Sequence, residues 1–340
     1  MGPDNNIAGD MERFRDGFIG KKVTITGGIG FIGSNLARSL LELGAKITLI
    51  DSKMPNTGGN LYNIKGIEKD VQVKMVDVRD LASHLNLISN QDFLFNLAGL
   101  TSHLDSMTDP ILDLQVNAEA QLSILEACKK CNPGIRIIFS STRQIYGRPS
   151  YLPVDEKHPL NPVDVNGINK LAGEHYYLLY NQVYDLKTSV LRLTNTYGPR
   201  MRICDARQTF IGIWIRSLIE RRDFEVWEGH QLRDFTYIDD CISAFLLCAM
   251  EEKAIGQIYN IGGESIYSLT AVAQLLLEVN GRGKFQTRPF PAERKRIDIG
   301  DYVSDWKLIH AALGWKPKVN LRDGLGRTLD YYKENFSHYV

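Results

Sequence analysis

Lys21-Lys22-Val23-Thr24-Ile25-Thr26-Gly27-Gly28-Ile29-Gly30-Phe31-Ile32-Gly33 is the stretch that decides the fold. Residues 21–26 alternate apolar and polar side chains and predict a strand. Phe31 to Leu41 predicts an amphipathic helix, so the glycines lie on the turn between them. Gly27, Gly30 and Gly33 let the backbone turn sharply and let a diphosphate approach the positive helix N-terminus. Phe31 and Ile32 open that helix and flank the same approach. A second predicted strand, 46–50, ends in Asp51, about 20 residues downstream, where a carboxylate can accept hydrogen bonds from an adenosine ribose and repel a 2′-phosphate. Strand, turn, helix and acid in this order point to NAD rather than NADP. The alternative is a purely structural glycine turn.

Working outward, the pattern goes on alternating. Strands are predicted at 21–26, 46–50, 71–76, 93–97, 135–140 and 188–193, and helices at 31–43, 111–131 and 164–184. Strands alternating with helices mean a parallel sheet covered on both faces, a doubly wound α/β fold. The expected NAD-binding Rossmann domain spans 20–195, with 234–261 returning to it. After residue 196 the rhythm breaks at Pro199, Gly212, Gly229, Gly262-Gly263, Pro289 and Pro291. Segments 196–233 and 262–335 are therefore expected to form a smaller substrate-binding lobe, and 1–19 an N-terminal extension.

The 340 residues are 44% hydrophobic and 24% charged, an ordinary globular composition. Forty basic and forty acidic residues cancel, leaving no basic field for nucleic acid or an anionic membrane. A small-molecule partner is expected instead. Residues 1–20 carry Asp4, Asp10, Glu12 and Asp16 without a sustained apolar run, and no stretch is long enough to span a bilayer. Five scattered cysteines form no disulfide framework, and Cys128-Lys129-Lys130-Cys131 stands without a second ligand pair, so no metal is expected. A cytoplasmic location fits these features.

Two further marks suit a dinucleotide. Asp77-Val78 follows the third strand, where an acid can meet the adenine amino group. Leu97-Ala98-Gly99 ends the fourth with residues that let the cofactor lie against it. A strand-end Asp also serves as a helix cap.

With these motifs in place, the chain resembles the extended short-chain dehydrogenase/reductases, in their NAD-dependent nucleotide-sugar epimerase/dehydratase branch, over roughly residues 20–335. Thr26 to Gly33 looks like the family's TGGxGFIG, and Phe139 to Gly147 like its FxSSxxVYG. Arg192 to Arg200 matches RxxNxYGPR, Gln231 to Asp240 matches QxRDFxYVDD, and Tyr259 to Gly263 matches YNIGG. The resemblance implies that Thr142 hydrogen-bonds the sugar hydroxyl to be oxidised. It also implies a Tyr base four residues before Lys170, the lysine orienting the nicotinamide ribose. Residues four apart share a helix face.

Position 166, however, is Asn where the family has Tyr. An Asn amide can hold a hydroxyl but cannot take its proton near neutral pH. Three readings stay open. Another group is the base, namely His103, Asp164 or Lys170; or the sugar arrives already oxidised; or residue 166 marks an inactivating substitution or a binding-only relative. Arg143-Gln144 also replaces the Asp-Glu of sugar 4,6-dehydratases, which argues against that reaction. Arg143 could pair a substrate carboxylate or phosphate, or simply face solvent or a nearby acid.

At the substrate end, the resemblance implies that Asn195, Arg233 and Arg296 contact a nucleoside diphosphate. Residues 207–219 match the segment near the base. The reading is NAD-dependent epimerisation, at C4, of a nucleoside-diphosphate sugar, with a UDP-sugar favoured. The alternatives are another conversion of an acidic nucleotide sugar and a catalytically weakened binding protein. The family's two-helix interface implies a homodimer through 111–131 and 164–184.

Overall fold

The computed structural model describes residues 12–205, 209–291 and 295–340. Arg207 and Gln208 of the expected base-proximal segment lie outside the described residues, as does Arg294. Among the described residues, seven strands form one parallel sheet: β1 (Lys22–Thr26), β2 (Lys46–Asp51), β3 (Val71–Met75), β4 (Phe93–Asn96), β5 (Arg136–Thr142), β6 (Lys187–Leu193) and, later in the chain, β10 (Ile258–Asn260). The spatial order is β3-β2-β1-β4-β5-β6-β10. The direction of winding reverses between β1 and β4, which opens a crevice at the strands' carboxyl ends.

Helices cover both faces, as parallel strands buried on each side require. Helix α1 (Phe31–Glu42) lies on one face, followed by the short α2 (His103–Thr108) at the crevice, then α3 (Ala120–Cys131) and α4 (Val165–Tyr184) on the other. Later come α5 (Phe210–Ile219) and α6 (Ile238–Met250). The core divides accordingly. Leu36, Leu40, Phe245 and Cys248 pack on the α1/α6 face. Ile124, Leu125, Tyr177 and Tyr180 pack on the α3/α4 face.

The helix expected over 111–131 is interrupted. Pro110–Leu114 runs into a wide turn at Gln115–Glu119 before α3 begins. That turn carries Asn117 inward, where its amide donates to Leu100 O (3.1 Å) and accepts from Leu100 N (3.2 Å). Side-chain bonding to a neighbouring loop competes here with a regular ladder.

Beyond residue 194, β7 (Asn195–Tyr197), β9 (Leu232–Tyr237) and β11 (Ile266–Ser268) form a three-stranded sheet, and β8 (Phe224–Trp227) pairs with β12 (Phe285–Arg288). Of residues 234–261, α6 and β10 thus lie with the main sheet, whereas β9 belongs to the small one. At the other end of the chain, residues 12–18 are helical and Phe18 is fully buried against Phe93, ring centroids 5.1 Å apart.

Candidate active site

The cofactor end is built at the switch point. Thr26, the last residue of β1, donates from Oγ1 to Asn96 Oδ1 (2.6 Å) and accepts from Leu97 N and Ala98 N (3.1 Å each). The two strand ends are thereby locked side by side. Gly27 follows with φ +66°, a conformation that favours glycine. A Cβ on Gly33 would lie 2.2 Å from Gly27 O, so the helix can approach the turn only without a side chain there. Gly30 heads α1 with no side-chain cap and no acid in the first turn. The first N–H groups and the positive end of the helix are thereby suited to an anion.

Asp51, at the end of β2, accepts from Ile29 N (3.3 Å) and Lys53 N (2.8 Å), and burial pushes its carboxyl up. Asp77, two residues after β3, binds Arg79 through both carboxylate oxygens, a side-chain bond that holds it below the ordinary carboxylate range. Gly27, Gly30, Gly33, Asp51 and Asp77 line one cavity of about 980 Å³, with Val78, Leu97 and Ala98 also on its wall. A glycine cradle, an uncapped helix end and an acid at ribose distance in sequence fit NAD.

The same cavity continues past Gly99 to the reacting end. There Lys170 of α4 donates to Ser140 O (3.2 Å), two residues before Thr142 at the end of β5. Burial lowers the Lys170 ammonium to about 8, opposed by Asp113. A Cβ on Gly99 would sit 2.7 Å from Lys170 Nζ, so this glycine makes room for the lysine.

Asn166, one turn earlier on α4, donates both amide hydrogens inward, to Leu100 O (2.7 Å) and to Asp113 Oδ2 (3.0 Å). Asn169 donates to the other oxygen of Asp113 (2.9 Å). Asp113 is fully buried, and the two asparagines satisfy it. Only the amide oxygen of Asn166 is left to face a ligand, and it can accept a hydrogen bond but not a proton.

His103, the first residue of α2, also lines the cavity; its Nδ1 lies 3.0 Å from Asp164 Oδ2. Asp164 caps α4 through Gly167 N (2.7 Å) and accepts from Gln144 Nε2 (2.7 Å). Burial raises this carboxyl, but the bonds from His103, Gly167 and Gln144 win and hold it below its ordinary value.

The far end is cationic. Arg143 Nη2 donates to Asn195 Oδ1 (3.0 Å), its guanidinium stacks 5.2 Å from the Tyr302 ring, and its buried Nη1 has no protein partner. Arg233 donates to Leu232 O (2.9 Å) and to Gly300 O, with Asp298 3.8 Å away. Burial and the charge of Arg143 lower its guanidinium to about 10. Burial pushes Asp234 up to about 6, although it accepts from Thr194 Oγ1 (3.0 Å) and Gly263 N (3.1 Å). Two crowded guanidinium groups with incomplete pairing suit an anionic ligand.

Arg296 does not join them. Its side chain is exposed and outside the cavity wall, and its carbonyl accepts from Arg148 (3.3 Å). The second cation facing Asn195 is Arg143. Several family motifs, moreover, hold the scaffold rather than the ligand. Arg192 pairs with Glu174 and donates to Tyr146 Oη (2.6 Å), which donates to Asn260 Oδ1 (2.7 Å), joining three motif segments in one buried network.

Residues 23–262 match the sequence signature of the NAD dependent epimerase/dehydratase family. The chain belongs to that family. NAD is its cofactor, and its relatives include nucleotide-sugar epimerases and decarboxylases. The chain is 30% identical to CDP-paratose 2-epimerase of Salmonella typhi, over 91% of this chain and 98% of that protein. Among solved structures, UDP-glucose 4-epimerase of Thermotoga maritima with UDP-glucose is 26% identical, with TM-score 0.83 over 93% of this chain and 99% of the other. UDP-glucuronic acid 4-epimerase of Bacillus cereus, with UDP-glucuronic acid and NAD, is 28% identical, with TM-score 0.80 over 92% and 99%. No helix among the described residues is long and apolar enough to cross a membrane.

Proposed function

We propose that this chain epimerises a nucleoside-diphosphate sugar at C4, with a UDP-sugar as the favoured substrate. One observation carries the reading: a single cavity runs from the Gly27–Gly33 cradle, past Lys170 and Thr142, to Asn195 and Arg233. A glycine cradle, then Thr142 and Lys170, then Asn195 and Arg233 on one wall support a nucleotide sugar lying against NAD.

NAD supplies a hydride acceptor that returns the hydride, so the net reaction consumes no cofactor. Thr142 anchors the reacting hydroxyl. Lys170, fixed on the Ser140 carbonyl, holds the nicotinamide ribose and lends positive charge to the oxygen losing its proton. Asn195 and Arg233 hold the diphosphate, and their remote binding orients the reacting carbon.

The unpartnered buried Nη1 of Arg143 favours one second reading, that the sugar is acidic. Arg143→Met is then expected to weaken binding of UDP-glucuronate about tenfold, the cost of one charge-assisted hydrogen bond, with little change for UDP-glucose. Isothermal titration checks this.

The main test is incubation with UDP-, dTDP-, CDP- and GDP-sugars while following product sugars and transient NADH absorbance. Interconversion of C4 epimers without net cofactor consumption is the expected result; tight binding with no product contradicts it. We also propose a homodimer through α4, where Leu179, Val183 and Tyr184 are exposed. A monomer by light scattering at micromolar concentration contradicts that part.

A further inference from the structure

The family's tyrosine is missing, and the carbinol proton must still leave. We propose that His103, positioned by Asp164, is the group that accepts and returns it, in place of the side chain at 166. The inference rests on the epimerase reading above.

The placement comes from three segments. His103 enters from α2 after β4, Asp164 from the head of α4, and Gln144 from the turn that follows Thr142. Asp164 is fully buried, and its two oxygens accept from Gly167 N and Gln144 Nε2, which fix the carboxylate with Oδ2 3.0 Å from His103 Nδ1. A carboxylate on Nδ1 keeps the proton on that nitrogen and leaves the lone pair of Nε2 toward the cavity, the arrangement by which an Asp orients a histidine base. Nδ1 is buried and, without a hydrogen bond of ordinary geometry, has Asp164 Oδ2 at ion-pair distance (3.0 Å), while the side chain as a whole is 39% exposed, so the accessible part of the ring lies away from Asp164.

The competing groups are committed elsewhere. Asn166 has no basic atom, Lys170 is tied to Ser140 O, and Asp164 is buried with each oxygen accepting a hydrogen bond, from Gly167 N and Gln144 Nε2. Other charged or imidazole groups on α2 and the helices packed against it are Asp105 on α2 itself, Asp113 behind Asn166, and Lys170, Glu174 and His175 on α4, where Glu174 is paired with Arg192.

In the proposed step the carbinol O–H bond breaks and its proton passes to His103 Nε2. The oxygen's electron pair closes the C=O bond as the hydride leaves carbon for NAD. On return of the hydride to the opposite face, the imidazolium gives the proton back.

The test uses full-length His103→Gln and Asp164→Asn with NAD bound. Asn still caps a helix, so Asp164→Asn keeps α4 while removing the carboxylate. His103→Gln is expected to lower kcat about 10²–10⁴-fold with KM little changed, and to erase the acid limb of the wild-type pH profile. Wild-type kcat and an unchanged profile in His103→Gln would overturn the proposal. An independent readout is ¹⁵N NMR of labelled histidine. The neutral ring of His103 should be the Nδ1–H tautomer, with an Nε2 signal that moves on adding UDP-glucose, and Asp164→Asn should release that tautomer. An Nε2–H ring in the wild type overturns the proposal even if no sugar is turned over, whereas absence of turnover alone defeats the C4 reading.

Discussion

The cofactor end and the reacting end of the cavity are put together by opposite means. The core of the cofactor cradle is local: β1, the glycine turn and the head of α1 lie within residues 22–42, and Asp51, Asp77 and Leu97-Ala98 join it from the ends of the neighbouring strands. The reacting end takes His103, Thr142, and Asp164 with Lys170 from three separate segments: the head of α2, the end of β5 and the head of α4. A local cradle is specified by backbone geometry, so it tolerates few residue types. An assembled centre is specified by side-chain bonds, so one group can be exchanged if its neighbours change with it. Asn166 shows the second case, since its amide satisfies the buried Asp113 that a phenol could not serve in the same way.

The largest effect should come from breaking the cradle. Gly33→Val puts a side chain where a Cβ already meets Gly27 O at 2.2 Å, whereas Gly134 has nothing within 4 Å of its Cβ position. Gly33→Val is expected to abolish measurable NAD binding by calorimetry, while Gly134→Ala binds as the wild type does. Equal binding by both variants would break the claim that this end is set by backbone approach.

Next is the lysine. Lys170→Met is expected to lower turnover about 10²-fold or more, the scale of losing a preorganised charge at a developing oxyanion. A lysine lowered to about 8 loses its charge as pH rises through that value. The kcat/KM of the wild type should therefore fall above about pH 8, and Lys170→Arg should move that limb upward. A profile flat to pH 10 would remove the lysine's charge from the mechanism.

A smaller effect sharpens the contrast. Asn166→Tyr removes two hydrogen bonds and leaves an oxygen of Asp113 short of a donor, so it should cost about 1–3 kcal/mol in urea unfolding. Asp113→Asn in the same chain should recover part of that loss, because a neutral amide is less costly to leave unpaired. If Asn166→Tyr is neutral or stabilising, position 166 is not adapted to Asp113.

The same contrast explains what could be read from the chain in advance. The strands at 22–26, 46–51, 71–75, 93–96, 136–142 and 187–193 follow hydrophobic periodicity, and the glycines and Asp51 mark the cradle directly. Thr142, Lys170, Asn195 and Arg233 are reached through family motifs and do line the cavity. Arg296 shows the limit: its segment is rich in cations, and sequence order cannot say which one turns inward. Arg143, adjacent to Thr142, instead meets Asn195 across 52 positions. Asp164 looks in sequence like a helix cap, which it is, and its second partner, His103, lies 61 positions away. Nor does periodicity reveal the wide turn at Gln115–Glu119, since it depends on Asn117 bonding a distant loop.

The central claim, reversible oxidation at one sugar carbon by a cofactor that keeps and returns the hydride, has a direct test. The enzyme is incubated with UDP-glucose deuterated at C4 in ordinary water, and the C4 epimer is analysed by mass spectrometry and NMR. The expected product carries the deuterium still at C4, with no accumulated NADH. Loss of the label to solvent, or bound sugar with no epimer formed, would contradict it.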